Sequence, residues 1–465
     1  MRPAPKPAAA QPGQLLLQVF AALFGGFLGL TLLKFGNPPI MEKWVSAPTG
    51  VYEYLLGYPW PIGWAYGLLA VLSVAGAALA RWRTGAPRWL ILLPLMWLVW
   101  QIVAGTRSLD AALSAAVVKH FGACVLCFYL GLFSLSRLED VWPFWLGLLC
   151  GLVLVLATGW DQHFGGLQAT RRYFFLYIYP TLKEMPPEYL KRISSNRIFA
   201  TLFYPNALAG ALLLLLPVSL ATIWQARRLL TAPARGFLIA SLGIAGLAVL
   251  YWSGSKGGWL LMLMLGVIAL LRLPFAKQLK VALVVGMLVA GLAGFFWKHA
   301  GFFRKGATSV SARFDYWRAA IQTARDDPAF GTGPGTFSIP YQKIKRPESE
   351  MARLVHNDYL EQASDSGLVG FLTYTVFIIS GLIWCFPRPA ADWQTFAVWL
   401  GVLGWSLQGF VEFGLYIPAL AWPAFAFLGW LLGKSVGRAS VLASPNSSET
   451  RSHQGSRGRS PSPLE

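Results

Sequence analysis

Residues 299–371 read HAGFFRKGATSVSARFDYWRAAIQTARDDPAFGTGPGTFSIPYQKIKRPESEMARLVHNDYLEQASDSGLVGF, the longest polar passage in an otherwise apolar chain. A segment of about 70 residues with this composition cannot cross a bilayer, so its surroundings decide the architecture. Arg313, Arg318 and Arg325 recur at near-helical spacing, and a Gly/Pro turn follows at 331–335. His356, Asn357 and Asp358 come just before an apolar helix begins. A large polar loop between membrane helices is where chemistry is expected.

On either side of this stretch the chain is written for lipid. Its 465 residues have a mean hydropathy of +0.52, and only 13% are charged, against about a quarter in a soluble protein. The chain therefore reads as an all-α, polytopic membrane protein. The run at 15–35 is too long for a signal-peptide core and leads into GNPPIMEKW, with no small-residue cleavage site, so it reads as an uncleaved first span. Further apolar runs at 61–80, 88–104, 115–135, 141–159, 199–223, 236–253, 258–271, 279–298, 367–386, 393–411 and 415–433 bring the expectation to about twelve transmembrane helices. The organisation expected is a disordered cytoplasmic segment at 1–14, a membrane domain at 15–433 and a disordered basic tail at 434–465.

Orientation follows from the short loops. With the N-terminus inside, the inner connections are RWRTGAPR, SRLED, QARRLLTAPAR, RLPFAKQLK and PRPAAD, nearly all rich in Arg or Lys. Loops 160–198 and 299–366 then face outward, the second large and partly helical, and both termini are cytoplasmic. Both outer loops are also Arg-rich. Long loops translocate regardless of charge, so these residues need another reason, and a bound anion at the outer face supplies one. The net charge of +19 fits this reading, and no nucleic-acid-binding motif accompanies it.

Several residues stand out on position alone. His356 can take a proton near neutral pH, and Asn357 or Asp358 beside it could fix its tautomer; a lone loop histidine is also a common surface residue. Arg197 stands where the outer loop meets the bilayer, as an anion ligand or as an interfacial anchor. Asn206, inside an apolar span, needs a polar partner. The sequence WSGSKGGW places Lys256 in a tight glycine-rich turn, able either to cradle an anion or simply to join two spans. Lys119 and His120 form an ionisable pair in the fourth span. Cys124 and Cys127 share a helix face without further ligands at metal spacing, and no disulfide framework or metal site is expected.

Taken together, Arg197 with PNALA, SKG, ARFDYWRAAIQTARDDPAFGTGPGTF, HNDYLEQASDSGLVGF and FVEFGLYIPALAWPAFAFLGWLLG resemble the O-antigen ligase and polymerase superfamily over roughly residues 195–433. The resemblance implies a membrane glycosyltransferase of the bacterial inner membrane with its active site on the periplasmic face. Its donor would be a glycan on undecaprenyl pyrophosphate, and its acceptor lipid A–core or another glycan or lipid. It also implies His356 as general base and Arg197, Lys256 and Arg313 as pyrophosphate ligands, with Asn206, Asn357, Asp358 and Glu412 supporting. Lys256 stands where the family has Arg, keeping the charge but not the bidentate fork. Metal-independent, inverting transfer without a cofactor is expected. A polymerase joining carrier-linked repeats is the alternative within the family. A transporter flipping the carrier-linked glycan is the alternative outside it.

Overall fold

The computed structural model describes residues 12–442 except 52, 58, 139, 182–189, 191–193, 203, 305–307, 348 and 389–390. Residues 1–11, the tail beyond 442 and most of the KEMPPEYLKR turn at 183–192 lie outside the described residues. Among those described the chain is helical, with no strand. Every expected apolar run falls on a helix: α1 (Pro12–Lys34), α2 (Ile62–Leu79), α3 (Arg88–Gly105), α4 (Ala111–Phe133), α5 (Trp142–Asp161), α7 (Pro205–Gln225), α8 (Ala232–Ser253), α9 (Lys256–Arg272), α10 (Lys277–Arg304), α13 (Asp358–Trp384), α14 (Trp393–Gln408) and α15 (Pro418–Leu442). The short α6 (Leu167–Tyr173), α11 (Thr308–Asp326) and α12 (Ser338–Ile344) lie in the polar loops.

Among the described residues, 9 helices are long and apolar enough to cross a membrane. The 17-residue α9 and the 16-residue α14 are shorter than the rest. Helix also intrudes on both ends expected to be disordered, because α1 starts at Pro12 and α15 runs to Leu442. Once an apolar helix is nucleated, each further residue adds a hydrogen bond at little cost.

Close helix contacts are made by small residues. Gly25 and Gly29 of α1 face Gly147 and Gly151 of α5, and a Cβ on Gly25 would overlap the Phe144 main chain. In lipid, where no hydrophobic force drives helices together, such glycine pairs permit the backbone approach that dispersion needs. The central helices α7 and, as far as Leu432, α15 are almost wholly buried, α7 against α14 and α15 against α4. By contrast, α10 is nearly all exposed and packs chiefly on α9. Its apolar surface is the kind that lipid covers.

The polar passage folds as an outer layer with its own small core. Ala312, Tyr316, Ala319 and Ala320 recur on one face of α11 and pack with Phe337, Tyr341 and Val355. The layer begins later than the sequence suggests, since α10 continues through His299 to Arg304. Helix α13 is broken at Ser366 and Gly367, where Gly367 has φ +67°. The 331–335 turn docks on that break: Thr332 N–H donates to the Ser364 carbonyl (3.0 Å), Gly333 N–H to the Asp365 carbonyl (2.8 Å), and Leu368 N–H to the Pro328 carbonyl (2.8 Å). Main-chain bonds thus fasten the outer layer to the bundle.

Candidate active site

His356 sits at the seam between layer and bundle, and its two successors fasten the chain just after it. The Asn357 side chain accepts from the Tyr359 and Leu360 amides (3.1 and 3.0 Å), capping α13. Asp358 reaches the turn between α14 and α15: its amide donates to the Gly409 carbonyl (2.7 Å), and its carboxyl accepts from Leu415 N–H (3.0 Å). Buried His120 holds the carbonyl of the same residue. Its Nδ1 accepts from Trp422 Nε1 (3.1 Å), so its Nε2–H donates to the Leu415 carbonyl (2.8 Å). Asn357 and Asp358 therefore act as cap and staple, and His120 as a second staple. His356 itself has φ +56°, a left-handed conformation uncommon for a residue with a side chain.

The turn so pinned presents Glu412, and three residues converge on it with a fourth behind them. His356 Nδ1 lies 3.1 Å from Glu412 Oε2. Arg313, projecting from α11, pairs with Oε1 and also donates from Nε to the Val411 carbonyl (3.0 Å). The Asn206 amide nitrogen, on the first turn of α7, donates to the same Oε1. Arg197 completes the chain, its Nη2 donating to Asn206 Oδ1 and its Nε to the Ser253 carbonyl, both at 2.7 Å. The chain just after Arg197 is held by Gln162, whose side-chain oxygen accepts from the Phe199 and Ala200 amides (3.0 and 2.8 Å).

Positive groups surround this carboxylate. Burial works to raise the pKa of Glu412, but Arg313, then the hydrogen bond and charge of His356, then Arg197 outweigh it, and the group lies below its ordinary value. Arg313 is itself half of this exchange: burial disfavours its charge, yet Glu412 holds its pKa above the ordinary value. Burial first, and then Arg313, lower that of Arg197. An ionised Glu412 makes the Nδ1 of His356 the protonated nitrogen and Nε2 the basic one.

Of the other expected ligands, Lys256 opens α9 with its Nζ 3.8 Å from the centre of the Phe302 ring. Ser255 caps that helix and Gly254 is left-handed (φ +62°), so the glycine-rich stretch is a turn between α8 and α9. A Cβ on Gly254 would stand 3.3 Å from Arg197 Nε, so the turn also forms the wall against which Arg197 lies. Arg318 pairs at 3.8 Å with Asp315 and, like Arg325, is exposed. Lys119 is exposed, and Cys124 and Cys127 are buried free thiols. Sequence reasoning missed the aromatic walls of His356: Phe413 (4.8 Å, edge-on), Tyr316 (5.8 Å, stacked) and Tyr204 (6.1 Å, edge-on). Their one signal is adjacency to polar positions already singled out, at 206, 313 and 412.

Two comparisons bear on this site. The family model described as O-Antigen ligase matches residues 241–375, a segment holding Lys256, Arg313 and His356 but not Arg197, Asn206 or Glu412. A protein of Haemophilus influenzae, described as an uncharacterized protein, is 26% identical over 172 residues, covering 32% of this chain and 42% of that relative. The chain thus spans well under half the length of that relative. The matched segment thus carries the histidine and two of its cations, and residues 241–375 of this polytopic helical protein are similar to the O-antigen ligase family.

Proposed function

We propose that the protein transfers a glycan from a polyprenyl pyrophosphate to a lipid acceptor, lipid A–core or one like it, at the periplasmic face of the inner membrane. The similarity of residues 241–375 to the O-antigen ligase family supports a lipid-linked glycan and a lipid acceptor in general. The observation that carries the finer reading is the chain Arg197–Asn206–Glu412–His356 with Arg313 on the same carboxylate. A histidine and fixed cations share one hydrogen-bonded frame, which supports a histidine base beside a bound pyrophosphate.

The chemistry then assigns itself. An acceptor hydroxyl attacks the anomeric carbon from the side opposite the phosphate, and its proton passes to His356 Nε2. The bond from that carbon to the phosphate oxygen breaks, and the electron pair stays on the oxygen. Arg197, Arg313 and Lys256 stabilise this charge more as it develops than before, which is the condition for acceleration. Glu412 offsets the positive charge gained by the ring and keeps Nδ1–H pointed away from the substrate. Backside attack inverts the anomeric configuration. The fixed cations supply the charge stabilisation, so the scheme calls for no divalent ion.

Lipopolysaccharide from a deletion strain tests the reading. Loss of polymer from lipid A–core, with long carrier-linked chains retained, is expected. Core bearing a single repeat would make the protein a polymerase, and repeats trapped on the inner leaflet would make it a transporter.

A further inference from the structure

A second group of cations stands beside the first, on the far side of Gly254. The outer ends of α8, α9 and α10 enclose a small cavity lined by Tyr251, Gly254, Ser255, Trp259, Lys298 and His299. Gly254 faces this cavity and, in the other direction, comes within a methyl group's reach of Arg197 Nε. The two lysines here rest on rings of neighbouring helices: Lys256 of α9 over Phe302 of α10 (3.8 Å), and Lys298 of α10 over Tyr251 of α8 (3.5 Å). Among the described residues neither forms an ion pair with a carboxylate. His299 is within electrostatic reach of Lys256, Lys298 and Arg197.

Like charges gathered at a half-buried site repel one another unless an anion joins them. Glu412 is already paired with Arg313 and His356, so it does not serve Lys298. Two cationic stations separated by one glycine suit a ligand with two linked negative groups. We propose that Lys298 holds the distal, lipid-bearing phosphate of the donor, while Arg197 and Arg313 hold the phosphate whose bond to the sugar is broken. This rests on the glycosyl-transfer reading above. The placement also gives the lipid an exit. Lys298 stands at the outer end of α10, beside the exposed Phe296 and Trp297, on a helix whose surface faces the bilayer. Lys298 is thus a positioning residue, remote from the bond that breaks.

The test compares binding of a polyprenyl pyrophosphate with that of a polyprenyl monophosphate of equal chain length, to purified protein in zwitterionic lipid nanodiscs. The wild type should favour the pyrophosphate. Lys298→Gln should weaken binding of both lipids about tenfold or more, as expected for a lost charge-assisted contact to the lipid-bearing phosphate they share; Lys298→Arg should restore it. Arg197→Gln should weaken the pyrophosphate and leave the monophosphate within a few-fold of wild type. A Lys298→Gln protein that transfers glycan and keeps wild-type affinity for both lipids overturns the proposal and leaves Lys298 an interfacial anchor. Loss confined to the pyrophosphate also overturns it, because Lys298 would then hold the other phosphate. A wild type that binds neither lipid overturns the transfer reading itself, and the inference with it.

Discussion

Glu412 and His356, 56 residues apart in the chain, meet at 3.1 Å through a carboxylate oxygen and ring Nδ1. The pair joins the outer layer to the turn between α14 and α15, so neither residue is placed without the other's element. Three further contacts on the same carboxylate and its neighbours bring Arg313, Asn206 and Arg197 into one frame.

Removing the base should cut transfer about 10²–10⁴-fold while leaving donor binding intact. The variant of choice is His356→Asn, because asparagine accepts the left-handed backbone that alanine would resist. Transfer by purified protein from a carrier-linked donor, measured beside donor affinity, checks this. A rate near wild type would place the base elsewhere, and lost donor binding would make His356 a ligand.

Acid should reveal Glu412. Its pKa in the folded protein lies below the ordinary 4.5, so its contribution to stability is complete above that value and disappears as pH falls through the folded one. Arg313 titrates far above this window and adds no slope to it. Melting in detergent should therefore separate wild type from Glu412→Gln at pH 7, and the gap should narrow below about pH 4. A gap that stays constant into acid would remove the charge from the explanation.

Asn357→Ala should act on folding and leave chemistry alone. Loss of the cap on α13 costs about 1 kcal/mol, read as a lower melting temperature, with turnover per folded molecule within a few-fold of wild type. A large fall in turnover at unchanged stability would give Asn357 a direct part in orienting the base.

Orientation is open to labelling. Lys343 is exposed on α12, in the layer that the proposed orientation puts in the periplasm. In a background lacking the exposed Cys150, Lys343→Cys should react with a membrane-impermeant thiol reagent in intact spheroplasts. Reaction only after lysis would invert the topology.

Much of this was legible because hydropathy and helix period are local properties. The apolar runs fall on helices, and the polar passage stands outside them as its composition requires. His356, Arg197 and Arg313 stand out as charges where lipid-facing sequence has none. What could not be read is pairing at a distance. Nothing in FVEFG says that Glu412 reaches back 56 residues to the histidine, so a residue named only as support proved to be the hub. Proximity in sequence also misled: Asn357 and Asp358 follow the histidine, but an Asn before a helix with acids in its first turn is equally a capping pattern, and that is how it folds. Lys298, at the end of an apolar helix, reads as an ordinary snorkelling lysine until α8 and α9 are placed beside it.

The break in α13 at Ser366 and Gly367 fixes how the outer layer can vary. Three peptide-to-peptide bonds clamp it there, and they tolerate side-chain changes that add no proline and spare Gly331 and Gly367, where a Cβ would meet main chain. The layer is a roof riveted to its walls. The outer faces of α11 and α12 can therefore be rewritten to suit a different acceptor while the angle at which Arg313 and His356 meet their shared carboxylate is kept.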